Sequence, residues 1–240
     1  MYNQQNVWVS YPSYAYIKSY TIGMNIPKLH NYPAYRKAQL EYYADSTNKE
    51  KSEKLKELGK YSYELDLQIK SFEKFKVFPN SLYVDGDDKK KLPDYHEYVF
   101  QTLGGAIIVN EACANILKQF KLGDSTLTPL KIRDVFSDEI LYSGTIYFFH
   151  LCEIRNYVKI PQSHDKLHYS PSGTYPSYSD YNLCLDHDLL EIDKSALECD
   201  VDIWHDPSFR GSYFFSEKLR QAFIHANMLD KWNLKSCQLV

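Results

Sequence analysis

Two stretches of the chain share one pattern: a short apolar run, a capping residue and an acid, followed by helix formers. They are Ile107-Ile108-Val109-Asn110-Glu111 and, 106 residues later, Tyr213-Phe214-Phe215-Ser216-Glu217. β-branched and aromatic side chains suit a pleated, half-buried surface, whereas Asn and Ser accept hydrogen bonds from the free N–H groups of a first helical turn. The acid complements the positive end of the helix dipole. Each stretch therefore predicts a strand running directly into a helix, over Glu111 to about Lys121, closed by Gly123, and over Glu217 to about Ala226. Strands are expected to follow over 126–132, 145–151 and 235–240, which gives two similar strand-helix-strand units in the C-terminal half. The class implied is α+β, a mixed sheet with helices packed on it.

The N-terminal part has a different texture. Val7-Trp8-Val9 and Tyr14 to Tyr20 are rich in strand formers. Helix formers dominate from Pro33 to Leu58; Pro33 fits a first turn, Thr47-Asn48-Lys49-Glu50 has capping-box spacing that restarts a helix, and Gly59 is expected to close it. From Tyr61 to Ile69, apolar residues alternate with Ser62, Glu64, Asp66 and Gln68, which predicts a half-buried strand. Phe75 to Phe78 and Leu82 to Val84 form two further apolar runs. Residues 161–182, rich in Pro, Ser and Tyr, read as a loop. At 240 residues the chain sits near the upper edge of what one core organises. A single domain, 1–240, is expected, open to division into lobes 1–90 and 91–240.

Composition excludes several roles. With 44% hydrophobic and 25% charged residues the chain has enough apolar surface to build a core. A net charge of −3 supplies no global attraction to nucleic acid. Met1 to Asn6 lack a basic, apolar leader, and no window reaches 18 consecutive apolar residues, so neither export nor a membrane span is expected. The five cysteines, Cys113, Cys152, Cys184, Cys199 and Cys237, are odd in number and form no C-x-x-C pair. They read as reduced, mostly buried thiols, which points to the cytoplasm. The 22 tyrosines suit half-buried strands and interfaces alike.

Few residues are arranged for chemistry. No phosphate-binding glycine loop is present, and no cofactor is expected. His164 and His168 have the i, i+4 spacing of a zinc pair, but they stand between prolines and lack the following Glu. His150 and Cys152 share a face of a predicted strand without a nucleophile signature. Asp186-His187-Asp188 with His205 could hold a metal ion, so a metal-dependent hydrolase is the competing reading. Self-association through the Tyr-rich N-terminal strands is a third.

The strongest local bias is charge. Residues 180–206 hold nine acids, Asp180, Asp186, Asp188, Glu191, Asp193, Glu198, Asp200, Asp202 and Asp206, against Lys194 alone. Carboxylates gathered on one surface speed association with a basic protein and suppress wrong partners. The candidate contact residues are Asp186, Asp188, Glu191, Asp193, Glu198, Asp200 and Asp202, with Tyr178, Tyr181 and Trp204 as aromatic anchors.

The order Pro93-Asp94-Tyr95, Gly105 to Glu111, Tyr147-Phe148-Phe149, Ile203-Trp204 and Gly211 to Leu219 is similar to immunity proteins of bacterial polymorphic toxin and contact-dependent inhibition systems. The resemblance covers residues 90–240 and is a pattern of structural residues. It implies a non-enzymatic cytoplasmic protein that binds and blocks a cognate toxin domain, with no catalytic residues carried over. A basic, nucleic-acid-targeting toxin would suit the acidic stretch. Neither nucleic acid nor membrane is expected as a partner.

Overall fold

The computed structural model describes residues 5–10, 17–20, 22–71, 74–86, 97–102, 105–159, 167–170, 177–180, 190–209 and 211–240, with 19, 63, 65–71, 167–170 and 177–180 described by backbone alone. In chain order the first elements are β1 (Val7–Ser10), β2 (Ser19–Tyr20), β3 (Gly23–Asn25), α1 (Tyr32–Ala44), α2 (Lys49–Ser71), β4 (Ser81–Val84), β5 (Val99–Thr102), β6 (Ile107–Asn110) and α3 (Glu111–Leu117). There follow β7 (Thr126–Asp134), β8 (Ile146–His150), β9 (Val158–Lys159), β10 (Leu167–Ser170), β11 (Ser177–Asp180), β12 (Glu191–Ile192), β13 (Ile203–Trp204), β14 (Tyr213–Ser216), α4 (Glu217–His225), β15 (Lys235–Ser236) and β16 (Gln238–Leu239). Strands and helices are mixed, and the protein is α+β.

The chain forms two compact units. One comprises Met1–Ile17, Cys113–Thr126 and Leu151–Val240, the other Lys18–Ala112 and Leu127–His150. Residues on both sides of position 90 thus share the second unit, where β4 pairs in parallel with β7, Leu82 opposite Ile132.

In the first unit, a four-stranded sheet runs in the order β13-β14-β1-β15. β1 lies antiparallel to β14 with Val9 opposite Phe214. A second sheet, β16-β12-β9, supports the acid-rich segment. Trp204, Phe214, Phe215 and Phe223 are completely buried. Trp204 stacks on Phe214 at 5.8 Å between ring centroids, and Trp232 meets Phe215 at 5.3 Å. α4 starts where the sequence places it because the Ser216 hydroxyl accepts from Leu219 N at 3.2 Å. Its half-buried Arg220 and Glu217 pack on β1: the Arg220 guanidinium lies 3.7 Å above the Trp8 ring, and the Trp8 indole N–H donates to Glu217.

The second unit is built on a seven-stranded mixed sheet, β2-β5-β6-β8-β7-β4-β3. Leu82, Phe100, Ile108, Leu130, Ile132 and Phe148 form the centre of its core. α1 is capped by Asn31, whose side chain accepts from Ala34 N at 3.1 Å, with Pro33 in the first turn as expected. α2 restarts after Asn48, whose carbonyl oxygen on the side chain accepts from Lys51 N at 3.2 Å. Thr47 instead donates to Asp45.

Here the structure corrects the sequence. The strand expected over 61–69 does not form; these residues continue α2. Leu55, Leu58, Leu65 and Ile69 also fall on a helical stripe, so the alternation fits both periods over so short a window. Gly59, expected to end the helix, lies inside it because α1 comes close there. A Cβ on Gly59 would stand 3.0 Å from the Tyr35 ring.

The two strand-helix-strand units are present in chain order as β6-α3-β7 and β14-α4-β15, with the first strands and the helices starting at the same 106-residue offset. α3 ends earlier than expected, at Leu117, and Gly123 adopts φ +59° beyond it. Part of the expected loop 161–182 is an antiparallel hairpin, β10 with β11. Among the described residues, no helix is long and apolar enough to cross a membrane.

Candidate protein-binding surface

Beyond Asp180 at the end of β11, the acid-rich segment resumes in the described residues at Leu190. β12 is held between β9 and β16, and a 3-10 helix, Lys194–Glu198, follows. Asp193 starts that helix, its carboxylate accepting from Ser195 N at 2.9 Å and Ser195 Oγ at 2.7 Å. Lys159 reaches the other oxygen at 2.8 Å. The Lys159 ammonium and the Ser195 donors hold the Asp193 carboxyl well below the usual carboxylate range, so it is charged whenever a partner would meet it.

Asp200 is paired with a base 45 residues away. Arg155 donates to one Asp200 oxygen from Nε at 3.0 Å and Nη2 at 2.8 Å. The same guanidinium contacts Glu153 at 2.9 Å. Hydrogen bonding to Arg155 lowers the Asp200 pKa. The Asp200 carboxylate nevertheless remains 74% exposed. Leu197, 37% exposed, and exposed Glu198 stand between these two anchored carboxylates in the chain. Glu198 makes no ion pair among the described residues.

Asp202 and Asp206 are instead engaged by backbone donors. Asp202 accepts from Lys121 N at 2.9 Å and from the Ser216 hydroxyl at 2.6 Å, joining the turn after α3 to the cap of α4. Asp206 is completely buried and accepts from Tyr157 N, Val158 N and Ser208 N at 2.7 to 2.9 Å. A buried carboxylate needs such a complete set of donors, since an unmatched one is strongly disfavoured. Glu191 is half-buried in β12.

The candidate contacts therefore divide. Glu198 and Asp200 are exposed and Asp193 partly so, whereas Asp202 is spent on internal bonds. Trp204 is completely buried, edge-on to Tyr157 and stacked on Phe214, and offers a partner no surface. Tyr178 lies in β11, but only its backbone is described. Asp186, Asp188 and Tyr181 lie outside the described residues. Sequence counting missed Arg155 and Lys159, which neutralise part of the bias from distant positions, and it missed Leu197, whose signal was an apolar residue amid exposed acids.

The competing metal arrangement is placed only in part. His205 is 4% exposed, its Nδ1 2.9 Å from the Ser212 carbonyl, and burial lowers its pKa. A neutral ring beside a carbonyl carries its proton on Nδ1. Asp186, His187, Asp188 and His164 lie outside the described residues, and of His168 only the backbone is described. Among the described residues no group of three His, Cys, Asp or Glu could hold a metal ion. His150 is buried and its pKa is pushed down to about 4 by burial. Cys113 and Cys237 are buried, and Cys152 and Cys199 are half-buried.

The second unit holds a cleft of about 520 Å³ whose walls include Ile26, Leu29, His30, Leu58, Tyr61 and Tyr83. Leu29 and Tyr61 are 39% and 38% exposed at its edge. Its size lies in the range of small-ligand pockets.

No family model matches the chain, and no curated protein matches it.

Proposed function

We propose that this chain is an immunity protein, which binds a cognate bacterial toxin domain in the cytoplasm and blocks it without turnover or cofactor. The observation that carries the reading is the exposed turn Asp193 to Asp200. There, carboxylates anchored by Lys159 and Arg155 flank Leu197 and Glu198, which makes no ion pair among the described residues.

Fixing a side chain before binding removes part of the ordering cost that association otherwise carries. Anchored exposed carboxylates also steer a basic partner and set its register. A toxin that handles nucleic acid must present a basic surface to phosphates, so it is a natural partner for this turn. An apolar residue set between acids along the chain supplies the desolvated contact that charge alone does not.

The sequence resemblance supports the same reading. The residues carrying it in the described region coincide with β6, β8, β13 and β14 and with the starts of α3 and α4.

Co-expression with the product of the adjacent gene tests the proposal. Relief of that product's growth arrest, together with co-purification, is the expected result. Unrelieved arrest at matched expression overturns it.

A further inference from the structure

The loop joining β7 to β8 displays two large apolar side chains on a tightly braced backbone. Phe136 is 61% exposed and Ile140 is 53% exposed. Exposed aromatics on slack loops are common and uninformative, but this loop is not slack. The buried Asp134 carboxylate accepts from Phe136 N at 2.8 Å and Ser137 N at 2.9 Å. Asp134 N donates to the Glu139 carbonyl at 2.9 Å, Val135 N to the Val84 carbonyl at 2.9 Å, and Asp138 N to the Asp134 carbonyl at 3.1 Å. Glu139 N donates to Ser137 Oγ at 3.4 Å. Six consecutive backbone N–H groups, residues 134–139, are thereby engaged.

Side chains brace the loop further. Arg133 donates to the Asp138 carbonyl at 2.9 Å and pairs with its carboxylate at 3.2 Å. The Tyr83 hydroxyl donates to the same carboxylate at 3.0 Å. Asp138 is held at φ +59°, a backbone state costly for a non-glycine residue and kept only where its surroundings impose it.

A chain that spends this many bonds to hold a phenyl ring in water gains nothing in its own core from that ring. A rigid, pre-placed aromatic is, however, what a binding partner can bury at low entropic cost. The neighbouring charge narrows the partner. Glu139 makes no ion pair among the described residues, and Ser137-Asp138-Glu139 separate the two apolar residues.

We infer that this loop is an anchor contact for the toxin, Phe136 and Ile140 entering an apolar pocket rimmed by Lys or Arg. The inference rests on the immunity reading and adds a contact surface to it, in the unit that does not contain the acid-rich turn.

The test is titration calorimetry of the purified adjacent-gene toxin domain, in a catalytically silenced form, against the wild type, Phe136→Ala, Ile140→Ala and Phe136→Leu. Affinity should fall at least about tenfold for Phe136→Ala and severalfold for Ile140→Ala, with Phe136→Leu between wild type and Phe136→Ala. Unfolding midpoints should stay at the wild-type value, since both side chains are largely exposed. Unchanged affinity for Phe136→Ala beside a tight wild-type complex overturns the inference and leaves the immunity reading standing. No complex with the wild type overturns both. Light scattering of the free protein supplies the remaining arm: a wild-type dimer that Phe136→Ala dissociates, with toxin affinity unchanged, reassigns the loop to self-contact and overturns the inference.

Discussion

Acid should weaken the second unit through His150, and the size of the effect follows from its surroundings. The ring is 3% exposed, lies 4.1 Å from the Phe75 ring centroid and 5.5 Å from that of Phe148, and burial pushes its pKa down to about 4 from 6.5. A base whose folded pKa is depressed binds fewer protons folded than unfolded. Its contribution is intact above pH 6.5 and is lost as the pH falls through the window down to about 4. At 1.36 kcal/mol per pH unit within that window, moving from pH 7.5 to pH 5 costs about 2 kcal/mol.

The assay is urea unfolding at both pH values for the wild type and for His150→Phe, which keeps an aromatic ring but cannot titrate. Burial also lowers the pKa of His30 and His205, and carboxylates titrate in the same range. Those contributions are common to both proteins and cancel in the difference of differences. The wild type should lose about 2 kcal/mol more than the variant. His150→Gln guards against a variant that packs badly. Equal losses in wild type and both variants would show that His150 is solvated or charged in the fold, and the reasoning would fail.

Three further outcomes are expected. Gly123→Ala should destabilise by about 1 to 3 kcal/mol in thermal unfolding, because φ is +59° there and a Cβ would collide with the Glu153 carboxylate. Asp206→Ala should cost at least about 3 kcal/mol in urea unfolding, leaving the N–H groups of Tyr157, Val158 and Ser208 without their acceptor. Reversing Glu198 and Asp200 to Lys should slow association with the proposed toxin partner by roughly tenfold at low salt and flatten its salt dependence in stopped-flow mixing, with the unfolding midpoint unchanged.

What could be read from the sequence was what local chemistry decides. The strand-cap-helix starts at Asn110 and Ser216 were legible because apolar run, cap and acid act within one turn of chain. α2 was misread because the Tyr61–Ile69 alternation coincides with a helical stripe. The role of Gly59 depends on Tyr35, on another helix. The acidic stretch was legible as a bias but not as a surface. Which carboxylates face outward is set by Arg155 and Lys159 and by the backbone donors of Lys121, Tyr157 and Val158, none of which lies within the stretch. Trp204 could have anchored an interface or a core from its sequence alone; four-stranded pairing places it in the core. Phe136 gave no signal because exposure on a braced loop depends on Asp134, Tyr83 and Val84 acting together.

The most direct test of the proposed neutralisation by binding is a titration of the adjacent-gene product's toxic activity with increasing amounts of this protein. Activity should fall linearly to zero at one equivalent and stay partial below it, however long the incubation. Complete loss at a few hundredths of an equivalent, growing with time, would mean turnover and contradict the account, as would full toxin activity in excess protein.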